Sequence, residues 1–130
     1  MGAFVSAGSG GLDSPSALIF GPDGHLYVSG SFIGIMYPDR EGSILRYDGQ
    51  TGAFIDTFVP AGSGGLDRPD GLIFGPDGHL YVSSRNTHSI LSYDGQTGTF
   101  LGAFVSFDRG GLTFPTGLVF QTLEHNPPSP

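Results

Sequence analysis

LIFGPDGHLYVS occupies residues 18–29, and the same letters return at residues 72–83. In each copy two short apolar runs, Leu-Ile-Phe and Leu-Tyr-Val, flank Gly-Pro-Asp-Gly. Proline presets φ for a turn, aspartate caps the backbone ahead of it, and glycine tolerates positive φ. The stretch therefore predicts a β-hairpin, and its recurrence predicts that the hairpin is one part of a repeated unit.

The flanking sequence extends that unit. GAFVS at 2–6 returns at 102–106, AGSGGLD at 7–13 returns at 61–67, and YDGQTG at 47–52 returns at 93–98. The offset is 54 residues at the hairpin and 46 residues at YDGQTG. One place accounts for the difference: GSFIGIMYPDREGS (30–43) stands where the second copy has only SRNTHS (84–89). The unit is thus about 46 residues long, with an insertion in the first copy. The opening MGAFVS fits an N-myristoylation pattern. Its last five residues, however, also occur in mid-chain, so the repeat is sufficient to explain them.

Each unit reads as four strands, which in the second copy are GLIF (71–74), HLYVS (79–83), SILSYD (89–94) and TFLGAFV (99–105). No stretch carries the 3.6-residue period of an amphipathic helix, so the expected class is all-β. The runs LIF, LYV and IL do not alternate between apolar and polar residues, which suits sheets covered on both faces. Four-stranded antiparallel units of this length, stacked face on face, are the blades of a β-propeller. A β-sandwich is the alternative. The expected layout over 1–120 is a strand at 3–6, blades at about 17–59 and 71–105, and a lone strand at 117–120. Residues 121–130, QTLEHNPPSP, read as a disordered tail. Closed propellers take about four to eight blades, so two cannot form a ring. The chain is expected to be an arc of a larger propeller, with closure by further copies of itself as the second reading.

Composition narrows the functional classes. The formal net charge is -7, with five arginines and no lysine. Nucleic acids and anionic membranes recruit cations, so neither is an expected partner. There is no cysteine, which excludes disulfides and thiolate metal sites and leaves the compartment open.

The unit GGLDRPDGLIFGPDGHLYVSSRNTHSILSYDGQTGTF resembles an NHL-type propeller repeat. It carries the Leu-x-x-Pro-x-Gly-Leu approach, the Pro-Asp-Gly-x-Leu-Tyr-Val hairpin and the Asn-x-His-x-Ile step at Asn86, His88 and Ile90. Gluconolactonase-like and streptogramin-lyase-like propellers share the hairpin. Two departures stand out. Ser83-Ser84 replaces the aspartate usual after the second strand, and the first copy lacks the Asn-x-His step.

Because strand direction reverses each time, the long Gly-rich crossovers, the insertion and the 85–89 loop should share one face. Loops on a rigid β scaffold commonly carry binding. The candidate contact residues are Phe32, Met36, Tyr37, Asp39, Arg40 and Glu41 in the insertion, with Arg85, Asn86 and His88 beside it. Asp67 and Asp70 form a weaker oxygen-ligand pair that would suit calcium. AGSGGLD looks superficially like a calcium or phosphate loop. It lacks the nonapeptide period of the first and the following helix of the second, and reads as a crossover between sheets. Asp23, Asp77, Asp48 and Asp94 read as turn caps, and His25 and His79 as structural residues. No catalytic constellation assembles. The expected function is a non-enzymatic binding or scaffold module with a protein or carbohydrate partner. The alternatives are a fragment of a lactonase-like or lyase-like enzyme using a divalent metal, or a relic of repeat expansion.

Overall fold

The structure is a computed structural model that describes residues 3–5, 9, 14–31 and 42–105. It is all-β. Strands β1 (Ser14–Phe20), β2 (Leu26–Ser31), β3 (Ser43–Tyr47) and β4 (Phe54–Val59) form one antiparallel sheet in chain order. Strands β5 (Pro69–Phe74), β6 (Leu80–Ser84), β7 (Ser89–Tyr93) and β8 (Phe100–Val105) form a second, also in chain order. The sheets approach each other most closely along their first strands, β1 and β5. Two meandering four-stranded sheets converging on their first strands have the layout of two propeller blades.

The hairpin turns form for the reasons visible in the letters. Gly24 and Gly78 both hold φ at 83°, where only glycine is free of strain. Asp23 Oδ1 accepts the His25 backbone N–H at 3.0 Å, and Asp77 does the same for His79 at 3.0 Å. At the opposite hairpins Asp48 accepts the N–H groups of Gln50 and Thr51, while Asp94 accepts those of Gln96 and Thr97. Each sheet then clips its two hairpins together. The Gly49 N–H donates to His25 Nδ1 at 3.1 Å, and the Gly95 N–H to His79 Nδ1 at 3.2 Å. A side chain at Gly49 or Gly95 would collide with the carbonyl of Gly24 or Gly78, which explains the repeated Asp-Gly. The two histidines are thus acceptors inside the scaffold.

Burial matches the non-alternating apolar runs. All five residues of β6 are buried, as are four of the five in β3. One cluster spans the two sheets, joining Tyr27, Ile44, Phe58 and Val59 of the first to Leu72, Leu80, Val82, Leu91 and Tyr93 of the second. Leu66, from the crossover between the sheets, is fully buried in the same cluster. A second cluster, Leu26, Val28, Leu45 and Tyr47, lies on the far face of the first sheet. Both faces of that sheet are therefore apolar.

The crossover is pinned by a buried hydroxyl. Tyr93 Oη donates to the Ser63 carbonyl at 2.7 Å, within a 3-10 turn at Ser63–Gly65. The first sheet repeats this arrangement with the N-terminal segment, where Tyr47 Oη donates to the Ser9 carbonyl at 2.7 Å. Val5 packs on the far-face cluster. Residues 3–5 belong to neither sheet, because a fourth strand pairs with the third strand of its own sheet and no such partner exists for them among the described residues. The expected strand at 117–120 and the tail at 121–130 lie outside the described residues.

Candidate functional site

Two surfaces gather polar side chains, one at each end of the strands. On the first, the crossover and the 85–88 loop meet, as their common placement in the strand order requires. The Arg85 N–H donates to the Arg68 carbonyl at 3.0 Å, and the Asn86 N–H to the Asp67 carbonyl at 3.2 Å. Asn86 Nδ2 also reaches Asp67 Oδ1 at 3.3 Å. Beneath them, the Ser84 hydroxyl donates to the Asp67 carbonyl and accepts its N–H at 3.0 Å. Arg68 and His88 hold positive φ, at 60° and 51°, and are the only non-glycine residues to do so among the described ones.

Asn86, His88, Arg85 and Asp67 are thus brought to one place. Asp70 lies in β5, where its carbonyl accepts the Ser29 hydroxyl of β2 at 3.1 Å and so bonds the two sheets together. Among the described residues no group of three or more His, Asp or Glu side chains gathers around a possible metal position. Phe32, Met36, Tyr37, Asp39, Arg40 and Glu41 lie outside the described residues. The insertion that carries them leaves from the end of β2 and returns at Gly42, which abuts the ring of Pro69 at the start of β5.

The second surface was not singled out from the sequence. At the opposite end, a cleft of about 390 Å³ opens between the two sheets, lined by Pro22, Asp23, Arg46, Gly95 and Gln96. Arg46 is its centre. Its Nε lies 3.1 Å from Asp56 Oδ1 and its Nη2 2.7 Å from Asp56 Oδ2, a bidentate pair across β3 and β4. Its Nη1 lies 3.5 Å from Asp23 Oδ2, which also accepts the Tyr27 hydroxyl at 2.7 Å. The guanidinium sits over the rings of Phe58 and Tyr27, at 5.2 and 6.0 Å from their centroids.

The charge states follow from these contacts. The hydrogen-bonded Asp56 carboxylate holds Arg46 above the ordinary guanidinium value despite partial burial. Burial pushes Tyr27 up to about 12, reinforced by its bond to Asp23. Burial works against ionisation of Asp23, but the His25 N–H and the Tyr27 hydroxyl outweigh it and keep the carboxyl below its usual value. This is a satisfied ion-pair network closing the cleft floor, with both aspartates partly exposed. Its contribution to stability is on the order of 1 kcal/mol. The sequence did carry a signal. Arg46 and Asp56 are cross-strand partners, and the second copy changes both, to Ser92 and Gly102. There the Ser92 hydroxyl donates to the Gly102 carbonyl at 3.0 Å.

No protein-family model matches the chain, and no curated protein matches it in sequence.

Proposed function

We propose that the chain is a non-enzymatic binding module, a segment of an NHL-like β-propeller that presents its crossover and insertion loops to a protein or carbohydrate partner. One observation carries this reading. Among the described residues the two non-glycine positions with left-handed backbone, Arg68 and His88, lie in the two loops that are hydrogen-bonded together at one end of the sheets. Such conformations cost on the order of 1–3 kcal/mol and gather where a surface is shaped for contact. The inserted segment rejoins the fold at the same place, against Pro69.

Removing residues 31–38 brings the first copy to the length of the second. Binding is screened on a glycan array and a displayed-peptide library, for the parent and the shortened chain. The expected result is at least one ligand bound by the parent and bound about tenfold or more weakly by the shortened chain, with its β-sheet circular dichroism retained. Equal binding by both chains, or no binding by the parent, overturns the reading.

A further inference from the structure

The cleft between the two sheets gathers donors and acceptors beyond those that the fold itself uses. Pro22 and Asp23 line it from the β1–β2 turn, Arg46 from β3, and Gly95 and Gln96 from the β7–β8 turn of the other sheet. Its volume of about 390 Å³ falls within the ~300–1,000 Å³ of small-molecule sites. All its lining residues are described. The sheets lead into undescribed residues at Ser14, Ser31, Gly42 and Val105, at the opposite end of the strands.

Each polar group in the cleft keeps some capacity. Among the described residues Asp23 Oδ1 accepts one hydrogen bond, from the His25 N–H, and a carboxylate oxygen has room for about two. Contacts to Asp56, Asp23 and Tyr27 leave at least one of the Arg46 N–H groups over. The Gln96 side-chain carboxamide, on an exposed turn, makes no hydrogen bond with the described residues. The charged network is also more than the sheet requires. At the same register the second sheet holds β7 to β8 with Ser92 and Gly102, without any charge. The guanidinium stands only in the sheet whose third strand lines the cleft.

Charge selects the ligand. Two carboxylates, Asp23 and Asp56, face one guanidinium, so the cleft is net negative, as is the chain at -7. An anion meets that excess, and a cation meets Arg46. A hydroxyl suits both groups, because it donates to a carboxylate and accepts from a guanidinium or a carboxamide. Several hydroxyls on one rigid ring match polar groups set on several sides of a cleft.

We infer that this cleft is a saccharide site. A sugar ring enters between the two turns, with neighbouring hydroxyls on Asp23 Oδ1, Arg46 and the Gln96 carboxamide, and its C–H edge against Pro22. The site is independent of the loop surface at the other end of the sheets.

Proton–nitrogen correlation spectra of the full chain test it, recorded as methyl glycosides of glucose, galactose, mannose, fucose and N-acetylglucosamine are added to tens of millimolar. At least one glycoside is expected to shift the Gly95 N–H, the Gln96 carboxamide and the Arg46 Nε–H together and saturably. Gln96→Ala, at an exposed turn position, is expected to weaken its binding by about threefold or more, the scale of one hydrogen bond. Arg46→Ser with Asp56→Gly, which copies the pairing of the second sheet, is expected to abolish binding with circular dichroism retained. Removing residues 31–38 is expected to leave it unchanged. No saturable shift from any glycoside overturns the proposal, as does binding that both variants retain. Shifts confined to Asn86 and His88, and lost with residues 31–38, overturn it while supporting the loop surface. Shifts produced by sodium acetate or ammonium chloride but by no glycoside assign the cleft to a charged group and equally contradict it. If the paired variant unfolds, Gln96→Ala decides alone.

Discussion

Replacing Tyr27 by alanine is expected to destabilise the chain by about 3–5 kcal/mol, the range for removing a large aromatic from a core. Equilibrium urea unfolding followed by circular dichroism measures the loss. Tyr27 is fully buried, and its ring contacts an aromatic from each sheet. It meets Phe58 of its own sheet edge-on at a centroid distance of 5.0 Å, and Phe74 of the other sheet at 4.9 Å. Its hydroxyl fixes Asp23, which in turn faces Arg46. Truncation therefore opens a cavity at the junction and frees a partly buried carboxylate at its rim. Tyr27→Phe keeps the rings and loses only the hydrogen bond, so its expected cost is about 1 kcal/mol. A similar loss for both variants would place the tyrosine's value in the hydroxyl and refute the packing account.

The second large effect is alkaline. Burial pushes Tyr27 and Tyr81 up to about 12, each helped by a hydrogen bond to an aspartate, Asp23 and Asp77. Burial alone raises Tyr47 and, further, Tyr93. A phenol raised in the folded state favours folding fully below its unfolded value near 10, and that contribution is lost as pH climbs through the folded value. Stability is therefore expected to be level through neutral pH, to fall from about pH 10, and to be largely gone by about pH 12. The test is a pH titration recording tyrosinate absorbance and circular dichroism together. The two curves should coincide, because these hydroxyls ionise by unfolding. Full ionisation with the sheet spectrum intact would mean that the tyrosines are not buried at the junction and the crossover. The turn aspartates act in the opposite direction. Asp48 and Asp94 are held below their ordinary value chiefly by backbone N–H groups, so their support is present above about pH 4 and fades in stronger acid.

The strand plan was readable because its determinants are local. Pro-Asp-Gly and Asp-Gly-Gln-Thr-Gly make their turns with their own side chains, and the strands of the second sheet fall within about two residues of the expected ones. Burial on both faces was readable from the missing alternation. That His25 and His79 serve the scaffold was readable from their duplication, although the acceptor role of Nδ1 emerges only when the two hairpins are adjacent.

The Arg46 network was hidden for the opposite reason. It joins residues from three strands of the first sheet and the turn between β1 and β2, and no spacing in the sequence brings Asp23 within reach of Arg46. Its trace is a paired substitution between the copies, Arg46 with Asp56 against Ser92 with Gly102, which only strand register makes meaningful. On the other surface, Asn86 and His88 stood out as motif residues. The structure gives Asn86 a fixed bond to Asp67 and makes His88 the left-handed cap of a short turn.

The two four-stranded sheets stack face to face through Tyr27. Proton NMR measures this directly, as nuclear Overhauser contacts between the Tyr27 ring and the rings of Phe58 and Phe74. Strong contacts to both are predicted from the centroid distances of 5.0 and 4.9 Å. A contact to Phe58 with none to Phe74 would mean that the sheets form without stacking, and would contradict the account.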